Sequence, residues 1–146
     1  MKKYLFKLNS HLIVVDIYDL KKEDVLLGIY AILDIIASGF RPHIIFTCDE
    51  ERGGFGALDL AATRCPFKDL RYIIELDRQG KIDCVFYDCD NKTFVDYIET
   101  FGFQEAYGTF SDINFICPAW GVAGVNLSVG YKDEHTKEEI DYFKNN

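Results

Sequence analysis

No run of apolar residues in this chain is long enough to cross a bilayer. The opening stretch, MKKYLFKLNSHLIVVD, lacks both an uninterrupted apolar run of signal-peptide length and a small-residue cleavage site. A membrane role is therefore not expected, and the chain reads as cytoplasmic. Positive charge is scarce as well: 16 basic residues against 24 acidic ones give a net charge of -8. That balance disfavours nucleic acid or an anionic membrane as the main partner, and clustered acids attract cations instead. CxxC spacing is missing. The five cysteines, Cys48, Cys65, Cys84, Cys89 and Cys117, are odd in number and fall mostly in apolar segments. They read as reduced core residues rather than as a disulfide or zinc framework. Repeats, linkers and low-complexity tracts are lacking too, so residues 1–146 read as a single domain.

What is present is material for a core. Hydrophobic residues make up 49% and aromatics 15% of the 146 positions, enough for one well-buried interior. Residues 4–8 and 12–18 are strand-like and separated by Asn9 and Ser10, which suggests a hairpin, or else a single strand over 4–8 that delivers His11 at its end. Helical spacing of Val25, Leu26, Ile29, Ile32, Leu33 and Ile36 predicts a helix over 22–38, closed by Gly39. Pro42 opens a strand over 44–48, and a short helix follows over 56–63. Strands are expected over 71–76 and 82–87, joined by the turn Arg78, Gln79, Gly80 and Lys81. Asn91 caps a helix through Phe101 that buries Phe94, Val95, Ile98 and Phe101. CPAWGVAG, which holds Trp120, reads as a packed turn, 125–129 as the last strand and 137–143 as a final amphipathic helix. Strand and helix units in this order predict an α/β three-layer sandwich with a mixed central sheet.

The stretch IIFTCDEERGGFGA, residues 44–57, is where chemistry concentrates. A short strand, β-branched and aromatic and read as buried along its length, stops abruptly at Asp49, Glu50 and Glu51, and Gly53, Gly54 and Gly56 follow. A solvated turn accounts for these residues taken alone; a cation site accounts for them together with the rest of the chain. Asp24 opens a helix, Asp77 ends a strand in YIIELD, and His135 follows NLSVGYKDE. In an open α/β sheet, strand ends and helix starts converge on one edge, so residues remote in sequence can meet there. Three or more ionised carboxylates on one edge need a cation between them. Zinc suits a set of carboxylate and imidazole ligands. His43, beside Pro42, reads as structural.

FTCDEERGGFGA resembles the TxDEEIGGxGA signature of the co-catalytic zinc exopeptidases, the aminopeptidase and carboxypeptidase clan. Asp24 with Gly28, the ELD that ends at Asp77, the GTFSD loop and the late NLSVGYKDEHT follow in the family's order, and the likeness spans residues 24–138. The resemblance implies a zinc-dependent exopeptidase-like fold that holds one or two zinc ions and acts on a short peptide or N-acyl amino acid. It implies that Asp24 bridges the metals, that Glu51 and His135 ligate one, and that Asp77 ligates the other, with His11 as a further candidate. Glu50 corresponds to the general base, and Asp112 of GTFSD to a substrate-loop residue or a cap. In such sites two zinc ions about 3.5 to 4 Å apart acidify a water, and the neighbouring carboxylate takes its proton and can pass it to the leaving amine.

The chain also departs from the family pattern. Where HxD is expected it has His11 with Ile13, and after Asp24 it has Val25 and Leu26 instead of a second polar residue. It is short for a clan whose members often carry an inserted lid or dimerisation domain, and a homo-oligomer is left open. A second expectation follows, from a different class: a non-catalytic remnant of the same fold serving as a binding or assembly module.

Overall fold

LIVVD, residues Leu12–Asp16, forms β1, and both of its edges are hydrogen-bonded. A strand apolar at four of five positions is what a sheet interior covered on both faces requires. The computed structural model describes residues 12–16, 23–132 and 140–141. After β1 come α1 (Glu23–Ala37), β2 (His43–Thr47), a single 3-10 turn (Glu50–Arg52), α2 (Phe55–Ala61), β3 (Tyr72–Arg78) and β4 (Asp83–Val85). They are followed by α3 (Lys92–Glu99), β5 (Gln104–Glu105), α4 (Ile113–Trp120), β6 (Ala123–Ser128), β7 (Tyr131–Lys132) and β8 (Ile140–Asp141). Six strands make one mixed sheet in the order β2-β1-β3-β6-β4-β5, and β7 pairs with β8. β2, β1, β3 and β6 are mutually parallel, and β4 runs antiparallel to β6.

Period-two alternation sorts the strand residues into two cores. Ile13, Tyr72, Ile74, Leu76, Val125 and Leu127 face α1 and α3, packing against Ile32, Phe94 and Ile98. Val14 and Ile73 face the other way, toward Ala57 of α2 and Ile113, Ile116 and Cys117 of α4. The result is the expected α/β sandwich with a mixed sheet between helical layers. α3 starts as its sequence predicts, with Asn91 Oδ1 accepting from the Phe94 N–H at 3.0 Å.

Several expectations are corrected. Both edges of β1 are paired with parallel strands; residues 4–8, on which the hairpin and single-strand alternatives both turn, lie outside the described residues. The strand before the acidic turn lies at the edge of the sheet, with Phe46 48% exposed, rather than buried along its length. The two strands joined by the turn at 78–81 both form, as β3 and β4, with β6 between them in the sheet. α1 turns Leu27, Ala31, Ile32, Ile35 and Ile36 to the core and leaves Leu26 and Leu33 exposed. Residues 113–120 are a helix that runs through Pro118 to Trp120, where a turn was expected. β6 is not the last strand, and Ile140–Asp141 is a strand inside the span expected to be helical. Cys84 and Cys117 are buried thiols, but Cys48 is exposed; all five cysteines are free.

Candidate active site

The carboxyl ends of β2, β1, β3 and β6 lie along one edge of the sheet, because the four strands are parallel. β1 continues to β2 on one side and has β3 on the other, while α1 and α2 cover opposite faces. In open α/β sheets ligands bind outside the strand ends at such a switch point. The acidic turn follows β2 there. Asp49 sits at φ 61, Gly53 at φ 110 and Gly54 at φ 67, a succession of left-handed residues that folds the chain back on itself. The Gly56 N–H then donates to the Cys48 carbonyl at 3.1 Å. A Cβ on Gly56 would stand 2.7 Å from that carbonyl oxygen, so this return needs glycine.

Beneath the turn lies a buried polar network. Glu75 of β3, wholly buried, sits opposite Asn126 of β6, and both point to the α4 face. The Glu75 carboxyl shares a short hydrogen bond with the Ser111 hydroxyl, and its Oε1 accepts from the Asp112 N–H at 3.3 Å. Asn126 Nδ2 donates to Asp77 Oδ1 at 2.5 Å and to Ser111 Oγ at 3.1 Å. Asn126 Oδ1 and, at the end of β2, Thr47 Oγ1 are buried with no hydrogen-bond partner among the described residues. Burial pushes the Glu75 carboxyl well above the usual carboxylate range. The charges of Asp77, Asp112 and Glu50 push it further, against the lowering effect of the Asp112 N–H. Burial and these charges together favour the neutral form of the Glu75 carboxyl.

Tyr87 enters the same network from the turn after β4. Its φ of 52 is left-handed, a strained conformation for a bulky side chain. Its ring lies against Gly108, where a Cβ would stand 2.7 Å from the phenol oxygen. Burial and the charges of Glu75 and Asp77 push the phenol up to about 12, while Arg78 and a hydrogen bond with Ser111 act the other way. Arg78 itself donates to the Tyr107 carbonyl at 3.2 Å, and the Tyr107 side chain is exposed.

The structure thus brings Glu50, Asp77 and Asp112 together around Glu75. Glu51 is next on the acidic turn and exposed. Asp24 is the second residue of α1, whose start lies toward the same edge because a helix joining parallel strands runs back against them; its side chain, like His11 and His135, lies outside the described residues. Asp112 precedes α4 but makes no side-chain cap. Its role is buried, beside Glu75. His43 stacks on Phe67 at 4.2 Å, in keeping with a structural part. Among the described residues, no three His, Cys, Asp or Glu side chains form a metal-holding group. Asp77 is oriented by an Asn126 donor, the kind of outer-shell partner that holds carboxylate ligands.

The expectations had passed over Glu75, Ser111, Asn126 and Tyr87. For Glu75 the signal was available, since a single charge inside YIIEL demands a buried partner. Ser111 and Asn126 lie within GTFSD and NLS, but no local rule pairs them with β3. The chain matches no family model, no curated protein and no solved structure.

Proposed function

We propose that the chain is a zinc-dependent exopeptidase-like metallohydrolase that acts on short peptides or N-acyl amino acids. The observation that carries this reading is the set of carboxylates, Asp77, Asp112 and Glu50, whose charges act on the buried Glu75 carboxyl at the carboxyl edge of the sheet. Such a set repels itself unless a cation is present. Asp77, Asp24, Glu51 and His135 would hold the metal, with His11 as a further ligand for a second ion. Zinc, when bound, supplies the Lewis acidity that polarises a carbonyl and allows a water to lose its proton at a pH of about 7. Glu50, on its strained turn, receives that proton on its carboxylate and returns it to the leaving amine. Asn126 fixes the orientation of Asp77, and Ser111 links Asn126 to Glu75, so that the edge is preorganised before substrate arrives. The Tyr87 phenol keeps its proton at neutral pH and is available as a hydrogen-bond donor.

A second reading has its own support. Ile13 is 1% exposed and packs in the core where the family pattern has the carboxylate of HxD, so one metal position lacks its usual support. On this reading the edge binds a ligand without turning it over. Hydrolysis of a panel of dipeptides, aminoacyl anilides and N-acetyl amino acids, with zinc in excess, separates the two. The enzyme reading expects turnover that falls at least ~100-fold in Glu50→Gln, the scale of losing a general base. No turnover of any of these by the folded, zinc-loaded chain leaves the binding module.

A further inference from the structure

A pair of thiols on the α4 face takes no part in the proposed hydrolysis. Cys89 lies in the turn after β4, half-buried, with its sulfur 3.4 Å from the Tyr87 carbonyl and 3.6 Å from the carbonyl of Ile113 in the first turn of α4. Cys117 is four residues further along that helix, the position stacked directly above Ile113. It is 1% exposed. Both cysteines meet at Gly124 of β6. The Gly124 N–H donates to the Cys89 carbonyl at 2.8 Å, and a Cβ on Gly124 would stand 2.3 Å from the Cys117 sulfur. With that Cβ missing, the Cys117 sulfur fits against Gly124, and the Cys89 sulfur lies one helical turn away beside the Ile113 carbonyl. We infer that Cys89 and Cys117 form a reversible, peroxide-responsive disulfide site that links the turn after β4 to α4.

The two cysteines are unequal, which assigns the order of events. The neighbouring Cys117 thiol lowers the Cys89 thiol against burial and the charges of Asp88 and Asp90, whereas Cys117 is raised by Cys89 and by its own burial. Thiolate is the reactive form, so the more accessible and more acidic Cys89 reacts first. Its sulfur attacks the outer oxygen of a hydroperoxide. The O–O bond breaks, Cys89 becomes a sulfenic acid, and the remainder leaves as an alcohol, or as water when the oxidant is hydrogen peroxide. The Cys117 sulfur then displaces hydroxide from Cys89 and gives up its own proton, so that water leaves and the S–S bond forms. Two thiols have lost two hydrogens and two electrons, which the hydroperoxide has accepted. The inference stands whether or not the edge hydrolyses peptides. Its bearing on the edge is direct all the same: Tyr87, two residues before Cys89, bonds to Ser111 at the start of α4.

The test treats the full chain with stoichiometric hydrogen peroxide and then maps peptides by mass without reduction. The expected result is an intramolecular peptide pair joined through Cys89 and Cys117, two hydrogen masses light, that dithiothreitol returns to thiols. In Cys117→Ser the cross-link is lost and dimedone traps a sulfenic acid at Cys89; in Cys89→Ser, Cys117 stays a thiol. Circular dichroism before oxidation verifies that each variant is folded. Oxidation that falls on the exposed Cys48 or on Cys65 while Cys89 and Cys117 keep their thiols would overturn the inference, as would a disulfide formed only between two chains.

Discussion

Glu75 is the residue on which the site's electrostatics turn. A glutamate with its side chain at 0% exposure is stable there only as the neutral acid or against a cation, and the residues around it are acids. Its folded pKa lies well above the ordinary carboxylate value of 4.5. The sign follows from linkage: below 4.5 both folded and unfolded chains carry the proton, and the buried acid is stabilising in full. As the pH rises, the unfolded chain releases its proton while the folded one retains it, so stability falls until the folded pKa is passed. Glutamine copies the neutral acid in shape and charge, its oxygen able to accept from the Asp112 N–H and its amide set against the Ser111 hydroxyl. Glu75→Gln is therefore expected to be more stable than the parent by about 1 to 3 kcal/mol at pH 8, with the gap closing toward pH 4. Urea denaturation across this range measures it. A parent that gains stability with pH relative to the variant would mean that Glu75 is ionised in the fold. The sequence made the acids at strand ends legible because each interrupts an apolar run. Ser111 and Asn126 were hidden because their partners lie 36 and 49 positions away, at Glu75 and Asp77 respectively.

Among the elements, the acidic turn after β2 is the one whose shape was written locally, in its glycines. Gly54 is left-handed with the Phe115 and Phe110 rings against it, and Gly56 rests on the Cys48 backbone. A methyl at Gly56 has backbone, not a flexible side chain, in its way. Gly56→Ala should cost about 1 to 3 kcal/mol, and a lowered thermal midpoint by circular dichroism is the readout; an unchanged midpoint would show that the turn relaxes freely. Other elements were legible for the same local reasons: α3 has its Asn91 cap, and its Phe94 and Ile98 point inward. α4 was not. Pro118 and Gly121 read as turn residues, yet only Gly121 ends the helix, while Pro118 falls inside it. Where β2 lies was equally hidden, since a β-branched strand with one exposed face and a strand buried on both have similar composition.

For the whole molecule, fold class was readable from the alternation of strands and helices, but strand order was not. Inserting β6 between β3 and β4 depends on pairings across 40 or more residues, such as Cys84 with Leu127, and no local pattern encodes them. That insertion is also what builds the site, because it sets Asn126 beside Glu75 and carries α4 over the edge. On the proposed function, the carboxylates at this edge bind a cation in the folded chain and not in the unfolded one, where they are dispersed. Zinc should then stabilise the fold as a whole: a ligand at a hundred times its dissociation constant adds about 2.7 kcal/mol. The expected outcome is a thermal midpoint that climbs with zinc concentration and returns on chelation. Asp77→Asn keeps a side chain of the same shape at the end of β3 but removes the charge, so it should lose most of the zinc-dependent rise while its metal-free midpoint stays near the parent's. Scanning calorimetry of both proteins with and without zinc measures the two effects separately. A rise of the same size in parent and variant would place the cation away from Asp77, and no rise in either, with both folded, would remove zinc from the function of this edge.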